Sequence, residues 1–579
     1  MNALADINQA LQQRGFVSIP SPISACFTTT RFESNPSDGW YFGILQAKKG
    51  PISAYLAIPD MDFSRAPSVW IPERPDWLIG WRPHLLSWHP PLSENLCYND
   101  HGQFHLLPHE PGRAILRVLE DAVITIDRIA DPTTVIEDSR REIALLWRGY
   151  SDSVFCDVEP ESKNVLCSVG MAKLKGKNVF LISSSPIGLA DKVGCTSPVI
   201  VAAQAIIYPE PQNPLYLTVA GPPKTLADVR SWLMETSSET YKRWHKVLMS
   251  QEHFTKRIYW HFFRTQSQLI GFKMDKVGNL SDIRGARQIR NFIRTHLYEK
   301  PADVVRVSPD RMDDSFLVRR NLPIENDDLR GLNILLIGCG TIGGYLAPAL
   351  LQLGAGLDKI TNKGCLTLCD GDVLSNQNIG RHALGLNFMG MNKAVALKMD
   401  LVGKRSNVHI DAIEKKVDTI ESDFKNFHLI INATGYEPIG RRLSRALRSE
   451  EWYDSNRALL HVWIEGRGGV SRALLEDSKK CACFDCMWAY SVNQEPKSRY
   501  PAYQLDEWYE RANDGYATMT PFSVSASLAS TALAIDSILS WRSKKPSPRF
   551  RSRSAEGVGI KASFSNDLQR NEKCPTCSI

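Results

Sequence analysis

The sequence predicts a multidomain protein with an α+β fold at its amino end and an α/β fold at its carboxyl end. Its 579 residues exceed the roughly 250–300 residues that one hydrophobic core can organise, so two to four domains are expected. From Leu332 onward the chain repeats strand, glycine loop, helix and strand, which is typical of a parallel sheet wound with helices. Before residue 130 the pattern predicts a helix, then an antiparallel meander, then a second helix.

The composition indicates a soluble globular protein, with 43% hydrophobic and 23% charged residues. The net charge of +6 is small for this length and does not favour a specific nucleic-acid partner. The sequence shows neither an 18-residue apolar stretch nor a signal peptide, so we expect a cytoplasmic protein without membrane association. In that reducing compartment the thirteen cysteines are expected to be thiols, metal ligands or catalytic groups.

The element pattern divides the chain into three predicted domains, at residues 1–145, 146–305 and 306–579. The first is expected to contain a short opening helix, a hairpin over residues 40–59, strands near 68–71 and 84–88, and a helix over 111–129. The second is expected to contain three β-like stretches, followed by a long helical region over 225–296. No motif with evident chemistry lies in this second domain.

A glycine-rich loop marks a nucleotide site in the third domain. An apolar strand at residues 333–337 runs into Gly338, Gly340 and Gly343 in the spacing GxGxxG, and a helix follows. The glycines permit a tight turn and let the backbone approach phosphate groups at the helix N-terminus.

Polar and charged residues at and after the end of the next strand indicate which reaction the nucleotide site carries out. That strand ends at Asp370 and Asp372, where an acidic side chain can accept ribose hydroxyls. This alone would suit a dinucleotide dehydrogenase equally well. Asn378, Arg381 and Lys393 follow, and such a group suits an enzyme that neutralises charge on a triphosphate during attack at the α-phosphate.

The third domain resembles the adenylation domain of the ThiF/MoeB and ubiquitin-activating enzyme family. The resemblance implies a Rossmann-like parallel sheet in which the glycine loop, Asp370, Asn378, Arg381 and Lys393 hold ATP. A protein's C-terminal carboxylate then attacks the α-phosphate to form an acyl adenylate. It further implies Mg²⁺ with the ATP and a homodimer formed through this domain.

Two features depart from the family pattern. Gly435 stands where the family usually has an aspartate that helps to hold magnesium, so Glu437 or Asp372 is expected to substitute. Family members often carry a cysteine on the segment that crosses the nucleotide site, but none occurs between Cys486 and Cys574. Ala517 or a neighbour occupies the expected position, and Cys481 is a weaker substitute.

Two CxxC elements predict a structural zinc site, because each places two thiolates on one tight turn and four close a tetrahedral site. The ligands are Cys483, Cys486, Cys574 and Cys577. The family carries a similar pair of elements.

A loop cysteine in the first domain is a candidate nucleophile. Cys97 lies in an irregular stretch after the last strand, beyond His89-Pro90, where a surface thiol can be loaded and unloaded. The layout resembles the ubiquitin-conjugating enzyme fold, in which a His-Pro-Asn turn precedes the catalytic cysteine. Pro91 replaces that asparagine, so support for the oxyanion is assigned to His89 or Asn95.

The order of the two domains resembles the bacterial ligases of CBASS anti-phage operons. This resemblance implies that the C-terminus of a cGAS-like nucleotidyltransferase is adenylated, passed to Cys97 as a thioester and joined to an amine on a target protein. A sulfur-carrier protein adenylyltransferase for cofactor or tRNA thiolation is an alternative, but it leaves the first domain unexplained. A degenerate, non-catalytic scaffold is favoured by Gly435 and by the missing crossover cysteine.

Overall fold

In a computed structural model the chain divides into two compact units, Met1–Arg311 and Met312–Ile579. The predicted division into three domains stays a prediction. The structure describes residues 3–578, apart from 21–38, 61–62, 88–93, 99–105, 148, 150–152, 267, 324–326, 360–361, 406, 417–420, 450–451, 454–455, 491–495, 503–511, 514–517, 520, 545 and 556–564.

The first part of unit 1 follows the predicted order of elements. Its helices and strands are α1 (Ala3–Gln13), β1 (Val17–Ile19), β2 (Gly39–Ala47), β3 (Gly50–Ile58), β4 (Ser68–Ile71), β5 (Leu85–Ser87), β6 (Glu94–Leu96), α2 (Pro111–Ile129) and α3 (Pro132–Trp147). The opening helix, the hairpin, the two later strands and the helix over residues 111–129 are confirmed.

An antiparallel sheet with the order β1-β2-β3-β4-β6-β5 is the centre of this part. In β3, Ile52, Ala54 and Leu56 are buried at alternate positions, because successive side chains of a strand point to opposite faces. The apolar side of α2, including Ile115 and Ile126, joins the same core. The backbone N–H of Lys48 in the β2–β3 turn donates to the Asp127 carboxylate in α2 at 2.7 Å.

The rest of unit 1 surrounds a second, mixed sheet with the order β13-β12-β11-β10-β8-β9-β7-β14. Its elements are β7 (Ser153–Cys156), β8 (Val165–Leu174), β9 (Lys177–Ser183), α4 (Pro186–Val193), β10 (Ile200–Tyr208), α5 (Leu226–Thr236), α6 (Ser238–Leu248), α7 (Gln251–Thr255), β11 (Ile258–Thr265), β12 (Gln268–Met274), α8 (Gly285–Ile293), β13 (Val304–Val307) and β14 (Asp310–Arg311).

The prediction of a continuous helical region over residues 225–296 is wrong, because β11 and β12 interrupt it. Almost every residue of β11 is buried, including Trp260, Phe262 and Phe263. A strand buried on both faces shows no alternation of polar and apolar residues, and periodicity alone does not distinguish it from a buried helix.

Two neighbouring histidines are enclosed in the core of this part of unit 1. His253 and His261 are fully buried, with ring centroids 5.5 Å apart. Tyr208 Oη lies 3.1 Å from His261 Nδ1, whereas neither ring nitrogen of His253 has a hydrogen-bond partner among the described residues. Burial lowers the pKa of His253 to about 3 and that of His261 well below its usual value.

We expect unit 1 to lose stability below pH 6.5. The pKa of each ring is lower in the folded state than in the unfolded state, so the unfolded chain takes up protons first as the pH falls. Each histidine then contributes a loss of about 1.4 kcal/mol per pH unit until its folded pKa is reached. Urea titrations between pH 7.5 and 4.5 measure this slope. His253→Leu should reduce the slope of the unfolding free energy against pH by about 1.4 kcal/mol per pH unit. An unchanged slope would show that the His253 ring is not neutral in the folded state.

Unit 2 is an α/β unit. Its elements are α9 (Asp314–Arg319), β15 (Asn333–Ile337), α10 (Thr341–Gln352), β16 (Cys365–Cys369), α11 (Asn376–Ile379), α12 (Lys393–Lys404), β17 (Ile410–Ile413), β18 (Leu429–Asn432), α13 (Glu437–Ser449), β19 (Ala458–Glu465), β20 (Val470–Glu476), β21 (Trp488–Ala489), β22 (Lys497–Ser498), β23 (Ala512–Asn513), β24 (Thr518–Met519), α14 (Val524–Ser543) and β25 (Phe550–Ser554).

The main sheet of unit 2 confirms the predicted parallel sheet. Its order is β17-β16-β15-β18-β19-β20-β25, with parallel pairing from β17 to β19 and antiparallel pairing beyond. The chain leaves β15 toward β16 on one side and later returns to place β18 on the other. A crevice is expected at the carboxyl ends of the strands on either side of such a change of direction.

One described helix, α14, is long and apolar enough to cross a membrane by length and composition, with a mean hydropathy of 1.3. The expectation that no such stretch exists was therefore wrong. Half of this segment is buried within the protein, and Ala534 and Ile538 belong to the core of the main sheet. A core helix of this kind passes the same test of length and composition.

Candidate functional site

The glycine loop lies at the carboxyl end of the central strand β15. Gly338 has a φ of +91°, and a Cβ atom there would lie 2.9 Å from the backbone nitrogen of Thr434. A Cβ at Gly343 would lie 1.9 Å from the Gly338 carbonyl oxygen, so side chains are excluded at both positions. Gly340 faces open space. The loop is thus closed on the protein side and accessible to a ligand at its centre, as a phosphate-binding turn requires.

Asp370 supports this loop directly. Its carboxylate accepts hydrogen bonds from the backbone N–H of Cys339 at 2.7 Å and of Asp372 at 2.8 Å. The side-chain amide of Asn392 donates to the carbonyls of Asp370 and Asp372 at 2.9 and 3.2 Å. Asp372, with 70% of its side chain exposed, is therefore the more accessible carboxylate of the two, and the ribose role of either residue stays a prediction.

Lys393 is placed where an anion would stabilise it. It is the first residue of α12, and its ammonium lies 3.2 Å from the Asp372 carboxylate with only 11% of the side chain exposed. A cation at a helix N-terminus is opposed by the helix dipole, and partial burial adds a desolvation cost. A bound phosphate would offset both costs, which favours the predicted role of Lys393.

Arg381 is held close to the same loop. The next residue, His382, has Nε2 2.8 Å from the Cys339 carbonyl oxygen and accepts the Leu384 N–H on Nδ1 at 3.1 Å. The Arg381 guanidinium lies over the Phe522 ring at 4.5 Å, and burial lowers its pKa. Sequence reasoning missed His382 and Phe522, because neither belongs to a recognisable motif.

The remaining predicted residues have local structural partners. Asn378 Oδ1 accepts from the backbone N–H and the hydroxyl of Ser375, both at 3.1 Å, and so caps α11. Glu437, a proposed magnesium ligand, forms an ion pair with Arg441. Gly435 adopts a φ of +65° in the turn after β18. Magnesium binding by Asp372 or Glu437 stays a prediction.

The two CxxC elements meet in a single cluster. The sulfur of Cys483 lies 3.8 Å from that of Cys486 and 3.5 Å from those of Cys574 and Cys577, and Cys486 lies 3.6 Å from Cys577. A tetrahedral zinc ion with bonds of about 2.3 Å to sulfur separates its ligands by about 3.8 Å. The four cysteines therefore fit a closed tetrahedral site, which could hold Zn²⁺ and would leave no position for a substrate.

Hydrogen bonds from neighbouring residues fix the position of the four-cysteine cluster within unit 2. Asp485, between the first two ligands, accepts from the Tyr490 hydroxyl at 2.9 Å and from Thr576. It also lies 3.4 Å from the Arg441 guanidinium in α13. Such outer partners typically fix the ligands of a metal site.

Cys97 follows directly after β6 and is half-buried. Its backbone N–H donates to the His84 carbonyl oxygen at 2.8 Å. His84 is buried, with 2% of its surface exposed. Its backbone φ of +62° is a strained conformation for a residue other than glycine. Its ring nitrogen Nε2 lies 3.2 Å from the Asp138 carboxylate and 3.0 Å from the Arg128 guanidinium. Sequence reasoning missed these three supporting residues.

For several other predicted residues, the structure shows no contact that supports a catalytic role among the described residues. His89 and Ala517 lie outside the described residues. Asn95 Nδ2 donates weakly to the Val69 carbonyl at 3.4 Å. Cys481 donates to the Ser478 carbonyl at 2.9 Å, and desolvation raises its pKa to about 11. A thiol with a raised pKa is a poor nucleophile at neutral pH.

The geometry of unit 2 agrees with a family comparison. Residues 319–576 match the model of the ThiF family. This part of the chain is a ThiF family domain, and the resemblance inferred from the sequence is confirmed for it.

Similarity to individual proteins extends beyond that domain. The chain is 28% identical over its full length to the ATP-dependent ubiquitin transferase-like protein Cap2 of Pseudomonas aeruginosa, covering 99% of that protein. It is 30% identical to the Cap2 protein of Vibrio cholerae over 55% of each chain. The crystal structure of Escherichia coli MccB with MccA-N7isoASN aligns at 15% identity and a TM-score of 0.33, over 51% of this chain and 76% of that one.

Proposed function

We propose that this chain is an ATP-dependent ligase that activates the C-terminal carboxylate of a partner protein and transfers it to an amine. The observation that carries the proposal is the arrangement at the carboxyl end of β15. There the accessible Gly340 turn is accompanied by the partly buried cation of Lys393 and by Arg381. A ThiF family domain supports an ATP-dependent adenylation reaction.

In the first step, a carboxylate oxygen of the partner attacks the α-phosphorus of ATP. A new bond joins that oxygen to phosphorus, the bond to the bridging oxygen of the β-phosphate breaks, and pyrophosphate leaves. Lys393 and Arg381 stabilise the negative charge that builds on the phosphate oxygens during attack. Mg²⁺ would neutralise further phosphate charge, and Asp372 supplies the kind of exposed carboxylate oxygen that this cation prefers.

In the second step, the Cys97 thiolate attacks the acyl carbon and AMP leaves. The resulting thioester keeps enough reactivity for the final step without more ATP. An amine on the target then attacks the thioester, an amide forms, and the thiol is released. His89 is the proposed assisting residue. The full-length similarity to a protein named as a ubiquitin transferase-like protein favours this relay over sulfur-carrier activation, which needs only an adenylation domain.

The proposed setting is cytoplasmic anti-phage defence, with a cGAS-like nucleotidyltransferase as the activated partner and a homodimer formed through the ThiF domain. The setting, the partner and the homodimer are proposed from the resemblance to CBASS ligases and from the similarity to Cap2 proteins.

Pyrophosphate exchange into ATP tests the first step. Exchange should appear when the genomic neighbour with a free C-terminus is added, because reversal of adenylation requires the acyl adenylate. The same neighbour ending in a carboxamide is the matched control and should give no exchange. If none of the chain's genomic neighbours supports exchange, the adenylation proposal is wrong and a scaffold role gains support.

A further inference from the structure

A continuous set of largely buried hydrogen bonds connects the four-cysteine cluster to the turn that packs on the glycine loop. Its central members are Asn432 at the end of β18, His461 in β19 and Glu476 at the end of β20, with exposures of 4%, 1% and 0%. We call these three residues the buried polar chain. Buried polar groups are costly unless each is satisfied, so the contacts of each member indicate what it positions.

At the cluster end, Glu476 holds the first CxxC turn. Its Oε1 accepts the backbone N–H of Phe484 at 2.9 Å, and Phe484 directly follows the ligand Cys483. Ser444 donates to Oε1 at 2.5 Å, and Arg448 donates to Oε2 at 2.8 Å and 3.1 Å. Desolvation alone would raise the pKa of Glu476, but the bonds from its neighbours, His461 first among them, lower it overall. A carboxylate therefore anchors this turn.

In the middle, His461 connects two strands. Nε2 lies 3.3 Å from Glu476 Oε1, and Nδ1 lies 3.2 Å from the amide nitrogen of Asn432. Because the Asn432 amide nitrogen is a donor, His461 Nδ1 accepts and Nε2 carries the proton, which faces both Glu476 Oε1 and the Ser444 oxygen at 3.2 Å. Each residue thus sets the hydrogen-bonding direction of the next.

At the nucleotide end, Asn432 fixes the turn that packs on the glycine loop. Its Oδ1 accepts from the backbone N–H and the hydroxyl of Thr434 at 3.2 and 2.8 Å. The backbone of residues 433–434 is the surface that a Cβ on Gly338 would strike at 2.9–3.0 Å. A displacement of this turn would therefore change the space available to the loop.

We propose that the buried polar chain couples metal binding at the four-cysteine cluster to nucleotide binding at the glycine loop, with His461 as the positioning residue. If the CxxC turn loosens, Glu476 loses a bond and its buried partners are left poorly satisfied, which costs more than the loss of an exposed bond. Since coupling between two binding sites is reciprocal, nucleotide must then stabilise the metal by the same factor. The inference rests on the proposed ATP binding and adds a link between that site and the cluster.

Zinc transfer to a colorimetric chelator, with and without the non-hydrolysable analogue AMPCPP and Mg²⁺, tests the coupling in the full-length zinc-loaded protein. In the unmodified chain AMPCPP should slow zinc release at least about five-fold, the lower end of typical coupling. In His461→Leu the slowing should fall below about two-fold, because the connection to Asn432 and Glu476 is removed.

His428→Leu is the matched control. His428 Nδ1 accepts the Asn333 N–H at 3.0 Å at the opposite end of the same sheet. This variant should keep the full effect of AMPCPP on zinc release. If His461→Leu retains that effect as well, or if AMPCPP does not slow zinc release from the unmodified chain, the coupling is wrong.

A second measurement needs no variant. The AMPCPP dissociation constant of the unmodified chain is determined by calorimetry before and after the zinc is stripped under reducing conditions. The constant should rise when zinc is removed, because a nucleotide that tightens metal binding is itself bound more tightly by the zinc-loaded chain. A constant that does not change overturns the coupling but leaves the proposed function intact. A zinc-loaded chain that binds no nucleotide overturns the proposed function and the coupling together.

Discussion

Replacement of Lys393 by alanine is expected to lower partner-dependent pyrophosphate exchange by about 100- to 1,000-fold, the typical effect of removing one group that stabilises transition-state charge. The ammonium lies at the N-terminus of α12 and is largely shielded from water, so its charge acts strongly on a phosphate nearby. The folded state should tolerate the change, since Asp372, its ion-pair partner, is 70% exposed and remains hydrated.

Lys398→Ala on the same helix is the matched control for Lys393. Its ammonium lies 3.9 Å from the Asp411 carboxylate and is itself 40% exposed, so exchange should stay within about two-fold of the unmodified rate, as expected for a surface ion pair. Thermal unfolding of both variants separates lost activity from lost folding. If Lys393→Ala exchanges normally, the assignment of this lysine to the phosphates is wrong.

Replacement of Cys97 by serine is expected to abolish the thiol-sensitive adduct with the partner while pyrophosphate exchange continues. In the proposed relay, adenylation precedes the covalent transfer and does not need the thiol. A serine hydroxyl is a far weaker nucleophile than a thiolate at neutral pH, and any ester it forms would resist thiol treatment. Non-reducing gel electrophoresis before and after treatment with a thiol measures this difference.

Cys195→Ser is the matched control for Cys97, because Cys195 is another half-buried cysteine of unit 1. Burial and the neighbouring Asp191 raise its pKa, which makes it a poor nucleophile. The adduct should form normally in this variant. An adduct that persists in Cys97→Ser but is lost in Cys481→Ser would instead identify the substitute thiol of the ThiF domain.

The parts of the fold with strong local signals could be predicted from the sequence. The hairpin of β2 and β3 has a polar two-residue turn between strands with alternating burial. The turn between β15 and α10 carries the GxGxxG spacing, in which a side chain at Gly338 or Gly343 would clash with the backbone. Such signals depend on neighbouring residues, so one sequence is enough to detect them.

Elements without a regular alternation of polar and apolar residues could not be predicted in this way. The sequence of β11 does not separate strand from helix, because its aromatic residues are buried on both faces. The helix α14 combines small polar and apolar residues around its whole circumference. In such segments the neighbouring elements, rather than a period in the sequence, decide the conformation.

The sequence by itself determined the kinds of chemistry that this protein carries. It specified the glycine loop, the cations of Arg381 and Lys393, the two CxxC pairs and the loop cysteine Cys97, because these depend on residue type and short spacing. The tertiary structure alone decided that Asp370 braces the loop, that His84 supports the Cys97 backbone and that Glu476 anchors the four-cysteine cluster. These roles require hydrogen bonds between residues far apart in the chain, and only the folded arrangement of strands and helices brings such donors and acceptors together.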